Sequence, residues 1–317
     1  MRRIGLVLLI FVIAMPLFAT AVQEDTGYPW QPNRPVNLIV PWGAGGSTDR
    51  SARTTAGIIE EALGTTIVVV NQPGASGSVG TKSALEAPKD GLTWTAGAVK
   101  DLGTYVVQGL LDTTLEDWHL YLNVAMPNVI SVNIDTPYET FDDLADAFRS
   151  GEEIRVATAG VNSAGHTAIE LIRSYTGIDH PHVTNDVVHP AVIATVGGEA
   201  DVVPQLSVEQ VDMIRAGQLR PLAVLADKPL EIEGVDEPIP PITNWIPEFE
   251  AAAIYFGIFV PAGVPQDVVD TLNQIWEEHV MTSAELAQWA RENAVVFDPA
   301  YGEEALRKSF PMVQQDR

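Results

Sequence analysis

The sequence predicts an α/β protein folded as two domains with a ligand cleft between them. Three observations carry this prediction. Residues 36–98 alternate strand, helix, strand, helix, strand; residues 129–225 alternate again; and glycine-rich loops stand at strand-to-helix junctions in both halves. The chain has 317 residues, enough for two domains. With 46% hydrophobic and 19% charged residues it belongs with folded rather than disordered chains.

The elements follow in order. Residues 1–21 read as a secretory signal: Arg2 and Arg3 start it, residues 4–18 are apolar, and Ala19-Thr20-Ala21 offers a small-x-small cleavage pattern. The apolar run falls short of the roughly 20 residues that span a bilayer. The expectation is therefore an exported, periplasmic protein. Residues 23–33 are polar and carry Pro29 and Pro32, as a leader arm would. Residues 36–40 form a short apolar run rich in β-branched side chains and stopped by Pro41, which reads as a strand. Ser47, Thr48 and Asp49 then offer N-caps for a helix through Leu63, with Gly64 as its stop. Residues 67–70 form a second strand, a helix runs through Glu86, and Pro88 to Gly91 turn the chain into a third strand over 92–98. Such an order gives a parallel sheet with right-handed crossovers.

The second half repeats the theme. Strands are expected at 129–133, 154–157, 201–204 and 222–225, and helices at 140–149, 164–175 and 191–196. Strand 222–225 is expected to lead back to the first domain, residues 238–247 to cross the surface, and helices at 266–280 and 284–293 to finish the fold. The expected division is a first domain of residues 22–125 and 227–317 and a second of residues 126–226.

Charge narrows the function. Lys and Arg total 18 against 42 Asp and Glu, a formal charge of −24, or −26 once Arg2 and Arg3 leave with the signal. No basic patch stands out to neutralise phosphates, which argues against nucleic acid. An acidic surface with scarce lysine suits a salty exterior, because screening weakens self-repulsion. There is no cysteine, which excludes disulfides, thiolate metal sites and thiol nucleophiles.

The loops carry the chemistry. Gly43-Ala44-Gly45-Gly46-Ser47-Thr48-Asp49 follows a strand and opens a helix, so unpaired N–H groups can hold an anion without a basic side chain. A plain glycine turn with an N-cap fits this loop equally well. A dinucleotide fingerprint or a P-loop does not, since Thr48 replaces the third glycine and no Gly-Lys-Ser/Thr occurs. Asn71 to Ser78 is a second loop of the same type beside it, and the pair favours an anion site. Residues 160–166 form a third such loop in the other half. His166 either bonds a ligand carboxylate or packs in its helix, and Trp42 either walls the pocket or packs at the hinge. His180, His182 and His189 are broken up by Pro181 and Pro190 and read as a surface turn, so no metal and no cofactor is expected. A hydrolase would need Gly-x-Ser-x-Gly, which fails at Ser78.

Val40-Pro41-Trp42-Gly43-Ala44-Gly45-Gly46-Ser47-Thr48-Asp49 and Asn71-Gln72-Pro73-Gly74-Ala75-Ser76-Gly77-Ser78-Val79-Gly80 resemble the extracytoplasmic receptors of tripartite tricarboxylate transporters, the Bug or TctC type. The likeness continues through Asp90-Gly91-Leu92-Thr93, Ser163 to His166, and Gly197-Gly198-Glu199-Ala200-Asp201 with Arg215 to Arg220. The resemblance implies a periplasmic-binding-protein type II fold that closes by a hinge on a small organic carboxylate: a dicarboxylate, a tricarboxylate or an aromatic acid. It implies a non-catalytic, monomeric receptor that delivers its ligand to membrane permease subunits. A receptor feeding a signalling system, or a secreted hydrolase, are the alternatives. Carried over, the ligand residues are Gly45, Gly46, Ser47, Thr48 and Asp49 with Ala75, Ser76 and Gly77 on one side, and Asn162, Ser163 and His166 on the other. Asp49 is expected to cap its helix or hold a water rather than touch the anion. Lys100, where the family shows small polar residues, is expected to offer a cation to the ligand. Asn162 replaces the family's usual glycine, and Thr184-Asn185-Asp186 its Tyr-Lys.

Overall fold

The structure is a computed structural model. It describes residues 27–160, 163–177, 182–184, 188–249 and 254–315, so the expected signal at 1–21 lies outside the described residues. Short apolar strands alternate with helices from the start. In the first lobe β1 (Val36–Val40), α1 (Ser47–Leu63), β2 (Ile67–Asn71), α2 (Ser78–Leu85), β3 (Thr93–Ala98), α3 (Val99–Val107) and β4 (Trp118–Met126) follow one another. The second lobe takes β5 (Val129–Asn133), α4 (Phe141–Arg149), β6 (Val156–Thr158), α5 (Ala164–Thr176), β7 (His182–Thr184), α6 (Val188–Val196), β8 (Val202–Val203), α7 (Ser207–Arg215) and β9 (Leu219–Val224). The chain then returns through β10 (Ile254–Pro261), α8 (Gln266–Ile275), α9 (Ala284–Glu292), β11 (Val296–Tyr301) and α10 (Gly302–Gln315).

The first sheet runs β11-β4-β10-β3-β1-β2 and the second β7-β6-β8-β5-β9. β1 pairs in parallel with both β2 and β3, setting Leu38 between Val69 and Trp94. β6 likewise lies parallel to β7 and β8. The carboxyl ends of each parallel group therefore share one edge, where the following helices begin.

Local signals act as expected at several helix ends. Gly64 and Gly177 take left-handed dihedrals and close α1 and α5 with N–H bonds to Glu60 and Arg173. Thr140 and Asp143 form a reciprocal capping box at the start of α4. The first lobe's core holds the largest buried rings. The Trp276 indole donates to the Leu122 carbonyl at 2.8 Å and stacks obliquely on Tyr121 at 5.2 Å. A donor buried this deeply needs such a partner.

Two expectations are corrected. Residues 238–247 do not simply cross the surface, because Ile239, Ile242 and Ile246 are buried. Pro241 bridges to Val224, and Ile242, Ile246 and Phe249 join the core of the second lobe. The return to the first lobe therefore occurs at β10, after the described segment ending at Phe249, rather than at residue 227. Residues 99–107, for which no element was expected, are helical and put Lys100 and Asp101 in the first turn of α3.

Candidate functional site

Five helices, α1, α2, α3, α5 and α7, begin directly beyond β1, β2, β3, β6 and β8. Side-chain contacts link their first turns to one another and across the two lobes. Each N-terminus presents unpaired N–H groups and about half a positive charge, a setting that attracts anions even in an acidic chain.

The first loop is held from below by Asp49. Its carboxylate accepts from the Gly45 N–H at 2.9 Å, from Arg53 Nε at 3.0 Å and from Asn71 Nδ2 at 2.9 Å. Asn71 Nδ2 also reaches the Trp42 carbonyl at 3.1 Å, joining the end of β2 to the loop after β1. Burial pushes the Asp49 carboxyl up, but the bonds from Arg53, Gly45 and Asn71 and the Arg53 charge outweigh it and leave it below the usual range. Asp49 is thus engaged in the scaffold. Gly45 is exposed, Gly46 half-buried, and Ser47 and Thr48 buried in the first turn of α1.

The second loop is conformationally costly. Gly74, Ala75, Ser76 and Gly77 have φ of 143°, 43°, 54° and 93° in succession. Left-handed dihedrals cost an L-residue about 1–2 kcal/mol each, and runs of them concentrate at ligand clamps. Gly77 cannot be replaced without movement, since a Cβ there would lie 2.6 Å from the Tyr105 hydroxyl and 3.3 Å from the Trp42 indole. Trp42 in turn donates from Nε1 to Asp101 Oδ2 at 3.4 Å. Both loops and α3 therefore meet at Trp42. Lys100, only 6% exposed, sets Nζ 3.6 Å from Asp101 Oδ1.

From the second lobe, Ser163 caps α5 by accepting the His166 N–H at 3.2 Å. Burial pushes the His166 ring below its ordinary pKa; the Lys100 charge lowers it further while Glu170 opposes. His166 of α5 and Lys100 of α3 are thus electrostatic neighbours across the cleft. Asn162 lies outside the described residues, as does His180. His182 and His189 sit in β7 and α6, and among the described residues no group of three or more His, Asp or Glu is placed to hold a metal.

The start of α7 closes the arrangement, and no motif in the sequence marked it. Arg50 of α1 donates to the Val208 carbonyl at 3.2 Å, which brings Glu209 beside the first turn of α1. The side chain of Gln205 lies against Gly165 of α5, 2.8 Å from where a Cβ would stand.

The family model described as "Tripartite tricarboxylate transporter family receptor" matches residues 51–305. The chain is similar to Protein BugT of Bordetella pertussis, 30% identical over 303 residues, covering 93% of this chain and 89% of that one. Two solved structures share the fold. One is Rpa4515 of Rhodopseudomonas palustris with adipate, with a TM-score of 0.77, 24% identity and coverage of 90% and 95%. The other is MatC of the same organism with bound malate, with a TM-score of 0.75, 23% identity and coverage of 90% and 97%. The architecture is the two-lobed periplasmic-binding-protein type II fold.

Proposed function

We propose, from the premise that this chain belongs to the tripartite tricarboxylate transporter receptor family, that its interlobe cleft captures a small organic carboxylate and closes over it. The protein is a periplasmic receptor rather than an enzyme, and its partner is the membrane permease of a tripartite transporter. Residues 1–21 serve as its export signal.

The carrying observation is that the first turns of α1 and α7, and of α3 and α5, face each other across the two lobes, beside a loop with four successive positive φ angles. One ligand carboxylate is held by backbone N–H groups of Gly46 to Thr48 and of Ser76, while Gly45 and Gly77, whose N–H groups bond Asp49 and the Gly74 carbonyl, shape the two loops around it. Lys100, Ser163 and His166 take the remainder, joined by Asn162, which precedes Ser163 in the sequence. Trp42 walls the first loop against α3, and Asp49 holds that loop in shape. Contacts from both lobes are stronger when the cleft is closed, so ligand shifts the hinge equilibrium toward the closed form. In two other proteins of this fold the bound molecules are adipate and malate, both dicarboxylates.

A thermal-shift panel of organic acids and their neutral amides tests the reading. Ligand at a hundred times its Kd adds about 2.7 kcal/mol, or roughly 5–10 °C for a chain of this size. A shift confined to carboxylates is expected. Shifts by the amides alone, or by none of the acids, would overturn it.

A further inference from the structure

Glu209 is an odd residue to find in an anion site. It is the third residue of α7, and the carbonyl of its neighbour Val208 accepts from Arg50 of α1 at 3.2 Å, which sets Glu209 against the first turn of α1, near Ser47 of the opposite lobe. Ser47 belongs to the first turn of α1, the helix start assigned above to the ligand carboxylate. The second carboxylate oxygen, Oε2, is buried and meets no hydrogen-bond partner among the described residues. Two neighbours on the same segment share this condition: the amide nitrogen of Gln205, a residue 1% exposed, and the hydroxyl of Ser207, fully buried. Buried polar atoms left unpaired cost about 1–3 kcal/mol each, so three of them on one five-residue segment point to a polar ligand.

An anionic ligand placed at Ser47 stands beside Glu209. Two carboxylates in such proximity do not both stay ionised; one takes a proton. We propose that Glu209 meets the captured carboxylate as a carboxylic acid, so that cleft closure takes up one proton from solution. The proton binds Glu209, whose O–H then donates to a ligand oxygen, while Gln205 supplies a second donor from the same segment. The inference rests on the carboxylate reading above.

The surrounding charges are consistent with it. Burial pushes the Glu209 carboxyl up to about 7, against bonds from Ser47 and Leu206 and the attraction of Arg50 on α1. Asp49 on the same helix is turned to Arg53 and Asn71. From α3 come Lys100 and Asp101, which face each other, and from α5 His166 and Glu170. On α7 itself Asp212 is paired with Arg215, which also reaches the Glu292 carbonyl at the end of α9. Burial holds the His166 ring below its ordinary value.

Calorimetric titration with malate, succinate and adipate, from pH 5 to 8.5 in HEPES and in Tris, reads the proton directly. The wild type is expected to take up a substantial fraction of one proton per ligand at pH 7.5, and to lose up to tenfold in affinity per pH unit above about 7. Glu209→Gln, which retains His166, is expected to bind without proton uptake and with a flat profile over pH 7–8.5. Melting without ligand gives a second readout. A raised carboxyl makes the folded state less stable as pH climbs from about 4.5 through 7, so Glu209→Gln should gain several degrees on the wild type between pH 5 and 8. Acid binding with no proton exchanged, or with the same uptake in both proteins, would overturn the inference and leave the carboxylate reading standing. Failure of these three acids and of every other acid in the thermal-shift panel, at every pH, would overturn both.

Discussion

Replacing Asp49 by Asn removes one charge while keeping size and shape, and the structure says what should fail. The carboxylate receives the Gly45 N–H, the Arg53 guanidinium and the Asn71 amide, all at about 3 Å. An asparagine offers a single acceptor oxygen, and its own NH2 must face a donor. Charge-assisted hydrogen bonds contribute about 1.5–3 kcal/mol each, but Arg53 is half exposed and its share is screened. A net loss of about 2–3 kcal/mol is expected at pH 7, which lowers Tm by roughly 4–10 °C. The sign of the pH dependence follows from the depressed Asp49 carboxyl. Its stabilisation is complete above the unfolded value and disappears as pH falls through the lower folded one, so the gap between the proteins should close below about pH 4. Differential scanning calorimetry from pH 3 to 8 measures this, with ligand titration alongside. Should Asp49→Asn melt with the wild type at pH 7 yet lose its ligand, Asp49 touches the ligand and the scaffold reasoning fails.

Other outcomes can be checked in parallel. Gly77→Ala must fit a Cβ 2.6 Å from the Tyr105 hydroxyl at a φ of 93°, so it should lower Tm and weaken acid binding at least tenfold; unchanged calorimetry would contradict the close approach. Lys100→Met should cost about 10–100-fold in acid affinity, the worth of one charge-assisted bond, at molar salt as well as at low salt. Equal affinity in the variant would remove Lys100 from the site. A chain carrying −24 should gain several degrees in Tm between 0.05 and 1 M NaCl as its self-repulsion is screened, and a flat response would end the expectation of a salty habitat.

What could be read from the sequence was local. Gly64 and Gly177 stop their helices because an αL residue there satisfies the last carbonyls, a short-range matter that residue type reveals. The three glycine loops were legible for the same reason. β4 and β10 were not read. They pair antiparallel with each other in the middle of the first sheet, and their buried apolar runs alternate too little to separate strand from helix. α3 was hidden by Gly103 and by β-branched residues that lower helix propensity, and the packing of α10 against it is a long-range contact. Residues 238–247 looked like surface because of their prolines, while their isoleucines find a core only once the second lobe exists. In the site the same division holds. Trp42, Ser163 and the loop glycines follow from local pattern, whereas Glu209 reaches Ser47 only through the approach of two lobes some 160 residues apart in sequence.

The most direct test is a calorimetric titration of ligand-stripped protein with the best acid from the panel and with its amide, which keeps the shape and removes the charge. Helix N-termini and Lys100 aimed at a carboxylate predict tight binding of the acid and at least a hundredfold weaker binding of the amide, about 2.7 kcal/mol. Equal affinity for the two would mean that the cleft does not recognise an anion, and the carboxylate receptor reading would fall.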